Sequence, residues 1–239
     1  MGRPEPWSGG LDLLPGAVVY RGPGGVAHWH QHLAIQVIVA SGGPCEVETS
    51  DGLTEVPVGE TLMVPSGQRH RLSCQGELTL LLVEPYGPRG RRVGGLPTAP
   101  ADVPVSGTPA DVVEAIIGRA KPVDLSPAVD AALRHLDEHA SGPDASLASL
   151  SRAARAAHLS PSRLTHRFTA EVGIPFRRYA LWVRLRTAVE AIARGAGLAD
   201  AAAHSGFSDG AHLSRVFRRN VGLPPSQLLR MTTSVDNWP

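Results

Sequence analysis

Four histidines and one amide stand at spacings that can gather them. His28, His30, His32 and Gln36 recur at even intervals. Side chains of a strand alternate between its faces, so one strand through these positions aims all four the same way, with Ala34 between them. His70 can meet them from a neighbouring strand. Neutral imidazoles with a weak amide oxygen form a donor set for zinc, iron, nickel or copper, and His30, His32, Gln36 and His70 are the candidate ligands. The same four residues with His28 can instead line a polar pocket for a small effector. No carboxylate belongs to the group, which lowers its charge compensation; Glu84 is the one acidic side chain placed to substitute.

A second chemistry lies in the arginines. Residues 1–120 carry 8 basic against 12 acidic side chains, and residues 121–239 carry 15 against 10. Within 145–231 there are 13 basic residues and only Glu171, Glu190, Asp200 and Asp209 on the acidic side. A surplus of this kind on one segment is what a polyanionic partner requires, because each neutralised phosphate releases counterions. Lys121 is the only lysine. Arginine suits planar two-point contacts to phosphate or guanine, although a coding bias would enrich it equally.

The elements that would carry these groups differ between the two halves. Short extended runs at 17–20, 33–40, 45–49, 61–65 and 78–83 are punctuated by Gly, Asp and Ser. Such spacing predicts an all-β sandwich or barrel. The stretch 86–125 turns to Gly, Pro and Arg and reads as a linker, with a short apolar helix at 111–120 as a dimerisation candidate. Apolar runs such as Leu78 to Val83 are far below the ~20 residues of a spanning helix. No signal-peptide core lies in 1–10 either, so a soluble, cytoplasmic protein is expected. Cys45 and Cys74 lack any paired spacing and are read as free thiols.

From Ser126 the period becomes helical. Ser126-Pro127 and Ser160-Pro161 are cap-and-proline starts. Leu147 to Ala157 forms a further helix, and short helix, brief turn, then capped basic helix is the helix-turn-helix pattern. The pattern recurs with Leu198 to His204, the turn 205–207, and a helix capped by Ser208. Phe168, Phe207, Phe217 and Trp182 are assigned to the core. Between the units, Pro175 to Arg194 makes a rod about 30 Å long at ~1.5 Å per residue. One turn of B-DNA is ~34 Å, so two reading helices on one chain can enter successive grooves.

These residues resemble the AraC/XylS family of transcription regulators. The second unit carries the resemblance through Gly206, Phe207, Ser208, Leu213, Arg215, Phe217, Gly222, Pro225 and Ser226, leading into a proline-started last helix. The first unit fits through Leu159, Ser160, Leu164, Phe168, Gly173 and Pro175, with His158 where the turn commonly has glycine. By position, the resemblance implies DNA contacts from Ser162, Arg163, Thr165, His166 and Arg167. In the second unit it implies contacts from Asp209, Gly210, Ala211, His212, Ser214 and Arg215. Gly210 and Ala211 lack the reach for base edges, leaving shape, thymine methyls and phosphate.

The amino-terminal half resembles the cupin double-stranded β-helix, through Gly24, His30, His32, Gln36, Gly43, then Gly59, Pro65, Gly67, His70 and Cys74. Cupins place two histidines, a glutamate, a third histidine and often an asparagine there. Here Gln36 replaces the glutamate and Cys74 the asparagine.

The combined expectation is α+β and multi-domain: a cupin-like effector barrel at 10–85, the linker at 86–125, and an all-α tandem helix-turn-helix domain at 126–232. The expected function is a sequence-specific regulator, activator or repressor and not an enzyme, that binds promoter DNA as a homodimer. A metal or small-molecule effector and contact with RNA polymerase belong to that expectation. The alternatives are a cupin metalloenzyme of dioxygenase or isomerase type fused to a DNA-binding module, and a helical half that serves protein contacts.

Overall fold

In the computed structural model, residues 7–14, 16–86, 124–139 and 149–235 are described, the last four without their side chains. The linker and its helix at 111–120 lie outside them. The chain forms two compact units, Met1–Pro122 with Arg215–Pro239, and Val123–Ser214.

The first unit holds β1 (Gly10–Leu14), β2 (Ala17–Pro23), β3 (Val26–His30), β4 (Ile35–Ala40), β5 (Cys45–Thr49), β6 (Gly52–Val56), β7 (Thr61–Val64), β8 (His70–Cys74), β9 (Glu77–Val83) and β10 (Thr232–Val235). They make a six-stranded sheet, β10-β1-β2-β9-β4-β7, and a four-stranded one, β3-β8-β5-β6. The all-β expectation for this half holds, as two sheets in place of a closed barrel. β4 is buried along its whole length. Ile35, Val37 and Val39 pack with Ala17, Val19, Leu81 and Val83 on one face, while Gln36 lies on the other. That double burial is why the run reads as continuously apolar. β10 is a strand the sequence did not suggest; it pairs in parallel with β1, Gly10 opposite Thr232.

The two cysteines are not free thiols. β5 and β8 pair with Cys45 directly opposite Cys74, and the two form a disulfide across the strands, their Cα atoms 4.1 Å apart. Twenty-nine positions separate them, so spacing along the chain carried no sign of the pairing.

The helices are α1 (Pro127–Glu138), α2 (Leu150–Ala156), α3 (Pro161–Val172), α4 (Phe176–Ala193), α5 (Leu198–His204) and α6 (Gly210–Val221). Position 214/215, where the compact units divide, falls inside α6. Ser126, Ser149 and Ser160 each accept a backbone N–H three residues on, which supplies a donor of the first turn with its partner. The Glu171 carboxylate accepts the Ser126 N–H at 2.7 Å, and Arg186 of α4 bonds Asp137 of α1 at 2.7 Å. Phe168 is fully buried, edge-on to Phe176 and Tyr179 with ring centroids 5.3 and 5.6 Å away.

Several expectations shift. α4 is unbroken but 18 residues long, or about 27 Å, because Pro175 and Arg194 stand outside it as its two caps. The last helix is a 3-10 segment, Pro225–Arg230. Phe168, Phe207 and Phe217 are core, whereas Trp182 is only half-buried. Substituting Phe168 by alanine should destabilise the helical unit by about 3–5 kcal/mol, while Ser162→Ala on the exposed face of the same helix should change stability by under about 0.5 kcal/mol. Denaturant unfolding of the two variants measures the difference.

Candidate nucleic-acid interface and histidine cluster

Each helix-turn-helix is built from one repeated local rule. After α2, His158 N–H donates to Arg155 O at 3.1 Å and Leu159 N–H to Ala154 O at 2.8 Å; after α5, Gly206 N–H donates to Ala203 O at 3.2 Å and Phe207 N–H to Ala202 O at 2.8 Å. This paired termination needs a left-handed residue. Gly206 takes φ 73°, and His158, at φ 53°, is the only non-glycine with positive φ among the described residues. The histidine therefore occupies the very turn position that the glycine holds in the second unit.

On α3, Ser162, Arg163, His166 and Arg167 are exposed together. Thr165 is half-buried and donates its hydroxyl to Pro161 O at 2.9 Å, and Arg167 lies 3.9 Å from Glu171. On α6 the expected residues divide. Asp209 is the cap in place of Ser208: its carboxylate accepts the His212 N–H at 2.6 Å and the Ser208 hydroxyl at 3.1 Å. Gly210 faces Leu198, where a Cβ would stand 3.4 Å away. His212 is half-buried, edge-on to Phe207, its Nδ1 3.0 Å from the Ser208 hydroxyl. Ser214 donates to Gly210 O at 2.8 Å. Ala211 and Arg215 are exposed, as are Arg218 and Arg219, which sequence reasoning passed over.

Arg184 was also missed. It extends from α4, donates through Nε to Ser205 O at 3.0 Å and through a terminal nitrogen to Gly206 O, and stacks over Phe207 at 4.4 Å. A helix end leaves carbonyls unpaired, and this guanidinium takes up those in the second turn. Its only trace in the sequence is a charge inside an otherwise apolar stretch, Leu181 to Leu185.

In the β unit, His30 ends β3, His32 follows it, Gln36 lies on β4 and His70 opens β8. All four are buried. The ligand-capable nitrogens of the three histidines lie within 4.8 Å of one another. His28 does not join them: the β3–β8 register shifts between Ala27 and His30, and this bulge turns His28 to solvent. Glu84 is buried but is not one of the converging group.

Each cluster ring is oriented by a carbonyl at Nδ1: His28 O for His30 at 2.6 Å, Ala34 O for His32 at 2.8 Å, and Gln68 O for His70 at 2.9 Å. A carbonyl only accepts, so Nδ1 carries the hydrogen and each Nε2 presents a lone pair. The Nε2 atoms of His32 and His70 stand 3.0 and 3.3 Å from Gln36 Oε1, itself an acceptor. Meanwhile the buried Gln36 Nε2 has no partner among the described residues. Turning the amide over gives both rings a donor and moves the deficit to the oxygen. A cation between the lone pairs resolves the conflict as assigned, so the donor set fits a transition metal.

Burial, with the neighbouring rings adding to it, pushes His30 down to about 3 and His32 to about 4; burial lowers His70 as well. The cluster is neutral at physiological pH.

Residues 153–231 match the helix-turn-helix domain family. No curated protein matches the chain. Among solved structures, ToxT from Vibrio cholerae aligns with 89% of this chain and 96% of its own at 12% identity, TM-score 0.56. Its unsaturated-fatty-acid-bound form aligns at 11% identity over 90% and 95%, TM-score 0.57. The C-terminal domain of AraT, a response regulator from Geobacillus stearothermophilus, is 26% identical over 44% of this chain and 86% of its own, TM-score 0.40. The ToxT likeness is one of fold: a β amino-terminal half and a helical carboxy-terminal half. The chain thus carries a helix-turn-helix domain in its helical half.

Two outcomes follow from these geometries. The unfolded chain takes up protons on His30 and His32 near pH 6.5 while the folded chain does not, so stability is complete above that pH and falls progressively toward pH 4. Melting temperatures across this window should drop for the native chain and flatten when both histidines are replaced by glutamine. Arg184→Met should weaken DNA binding by about tenfold or more, since bonds from a charged donor are worth ~1.5–3 kcal/mol; titration of labelled duplex measures it.

Proposed function

We propose that the protein is a sequence-specific transcription regulator whose α3 and α6 enter successive major grooves of promoter DNA, under the control of an effector held by the buried histidines. The observation that carries this reading is the doubled turn-and-cap construction, each copy preceding a helix with exposed arginines. Arg163 and His166 on α3 and Arg215 on α6 are assigned to base edges, with Ser162 and Thr165 beside them. Arg167, Arg218 and Arg219 are assigned to phosphate. The reading also takes the protein to be a cytoplasmic homodimer that acts on RNA polymerase at its promoters.

ToxT has been solved with an unsaturated fatty acid. The convergent imidazoles and Gln36 here suit a cationic or polar occupant instead. A bound transition metal would supply a positive charge where the Nε2 lone pairs face one another, with His30, His32, His70 and Gln36 as its holders. The protein's part is to fix each ring through its Nδ1 hydrogen bond and to exclude water. Metal content of the purified chain should fall to background when the three histidines are changed to alanine, and equal content in both would remove the metal from the reading.

Selection from random duplexes should recover two boxes about one helical turn apart. Affinity should fall steeply with salt, with a log-log slope of several units for roughly six or more phosphate contacts. Arg163→Ala and Arg215→Ala should each cost about 1–3 kcal/mol and relax preference in one box only. No enriched motif and a flat salt titration would reject the assignment.

A further inference from the structure

The two reading helices end in the same way but meet different surroundings. Gly173 closes α3 at φ 76° and Gly222 closes α6 at φ 77°. Each donates its N–H four residues back, to Thr169 O and Arg218 O, both at 2.9 Å. A Cβ added at Gly173 would meet nothing within 4 Å. At Gly222 it would stand 2.6 Å from His28 O, 2.7 Å from His30 Nδ1 and 3.1 Å from His28 N. Helix termination asks only for positive φ, which asparagine also tolerates. The close approach at Gly222 is a separate demand, made by the strand beside it.

That strand is the one that orients a cluster histidine. The bulge in β3 takes His28 out of the ladder with β8, and its N–H donates instead to Gly222 O at 3.1 Å. Its carbonyl accepts His30 Nδ1–H at 2.6 Å. One residue thus seats the end of α6 with one backbone group and holds a candidate ligand with the other. Residues 215–239 belong to the same compact unit as these strands.

We propose that Gly222 is a positioning residue through which a transition-metal cation on His30, His32 and His70 and the seating of the end of α6 on His28 favour one another. This rests on the cluster's reading as a metal effector site. A cation on Nε2 draws electron density from the ring and strengthens the Nδ1–H bond to His28 O, which fixes the seat. Linkage is reciprocal, so a seated α6 tightens the metal. Asparagine at 222 supplies the left-handed backbone but brings the Cβ that the site has no room for.

The test uses the full chain and zinc ion alone, with affinity read by competition against a metallochromic chelator. Gly222→Asn should weaken zinc about tenfold or more, the range in which outer-shell partners act. Gly173→Asn, with the same φ and open space, should stay within about twofold of wild type. On a selected duplex, saturating zinc should change wild-type DNA affinity about tenfold and that of Gly222→Asn less than twofold, within the usual span of couplings. If wild type and Gly222→Asn bind zinc alike, the coupling is overturned while the metal reading stands. If wild type binds zinc no better than a His30→Ala, His70→Ala variant, the metal reading fails and the coupling with it. Should Gly222→Asn not fold, amide exchange in the wild type decides: zinc should slow the amides of Arg219 to Gly222, which contribute no ligand, and unchanged exchange there overturns the proposal.

Discussion

A helix can be stopped tightly and restarted at a fixed angle only if one residue accepts a left-handed backbone, and the helical half depends on meeting that condition repeatedly. His158, Gly173, Gly195, Gly206 and Gly222 all take positive φ at helix ends. Side chains with a Cβ are disfavoured there, so four of the five are glycine. His158 bears the steric cost, and the first turn is the less relaxed of the two. The second turn gains a guanidinium on its free carbonyls. Two copies of one motif thus share the same backbone bonds but differ in balance, the first carrying a backbone cost and the second the support of a borrowed side chain.

The β half answers to a different condition, the cost of charge in a dry interior. Three imidazoles gathered between two sheets cannot all be protonated without solvent. Their Nδ1 hydrogens are taken up by carbonyls, so their remaining lone pairs point at one another and at an amide. This arrangement is polar without being charged, and it is incomplete within the described residues, since Gln36 brings one more donor than it can place.

Legibility in the sequence followed how local each cause was. Ser126-Pro127 and Ser160-Pro161 announced helices because cap and proline act within one turn. The runs at 45–49 and 61–65 were plain from composition and punctuation, the second forming a strand that stops at Val64. His30, His32, Gln36 and His70 meet, although from the three strands β3, β4 and β8 and the segment between β3 and β4, and His30, His32 and Gln36 do not lie along one strand. His28 was misplaced because a bulge is a property of two paired strands, invisible in either alone. The cap of α6 passed from Ser208 to Asp209 because both residues can serve, and only the position of the first helical turn selects between them. Arg184 and the disulfide were hidden for the same reason as the bulge: each joins residues that meet only after folding.

The Cys45–Cys74 crosslink bears on His70 by arithmetic of position. β8 presents His70, Leu72 and Cys74 to the interior by strict alternation, and a slip of one residue against β5 would turn all three outward. A covalent tie at Cys74 forbids that slip, so the inward aim of the histidine four residues away is pinned by a bond instead of by packing alone. The disulfide thus acts as a registration peg for the strand, and its influence is on which way an imidazole looks.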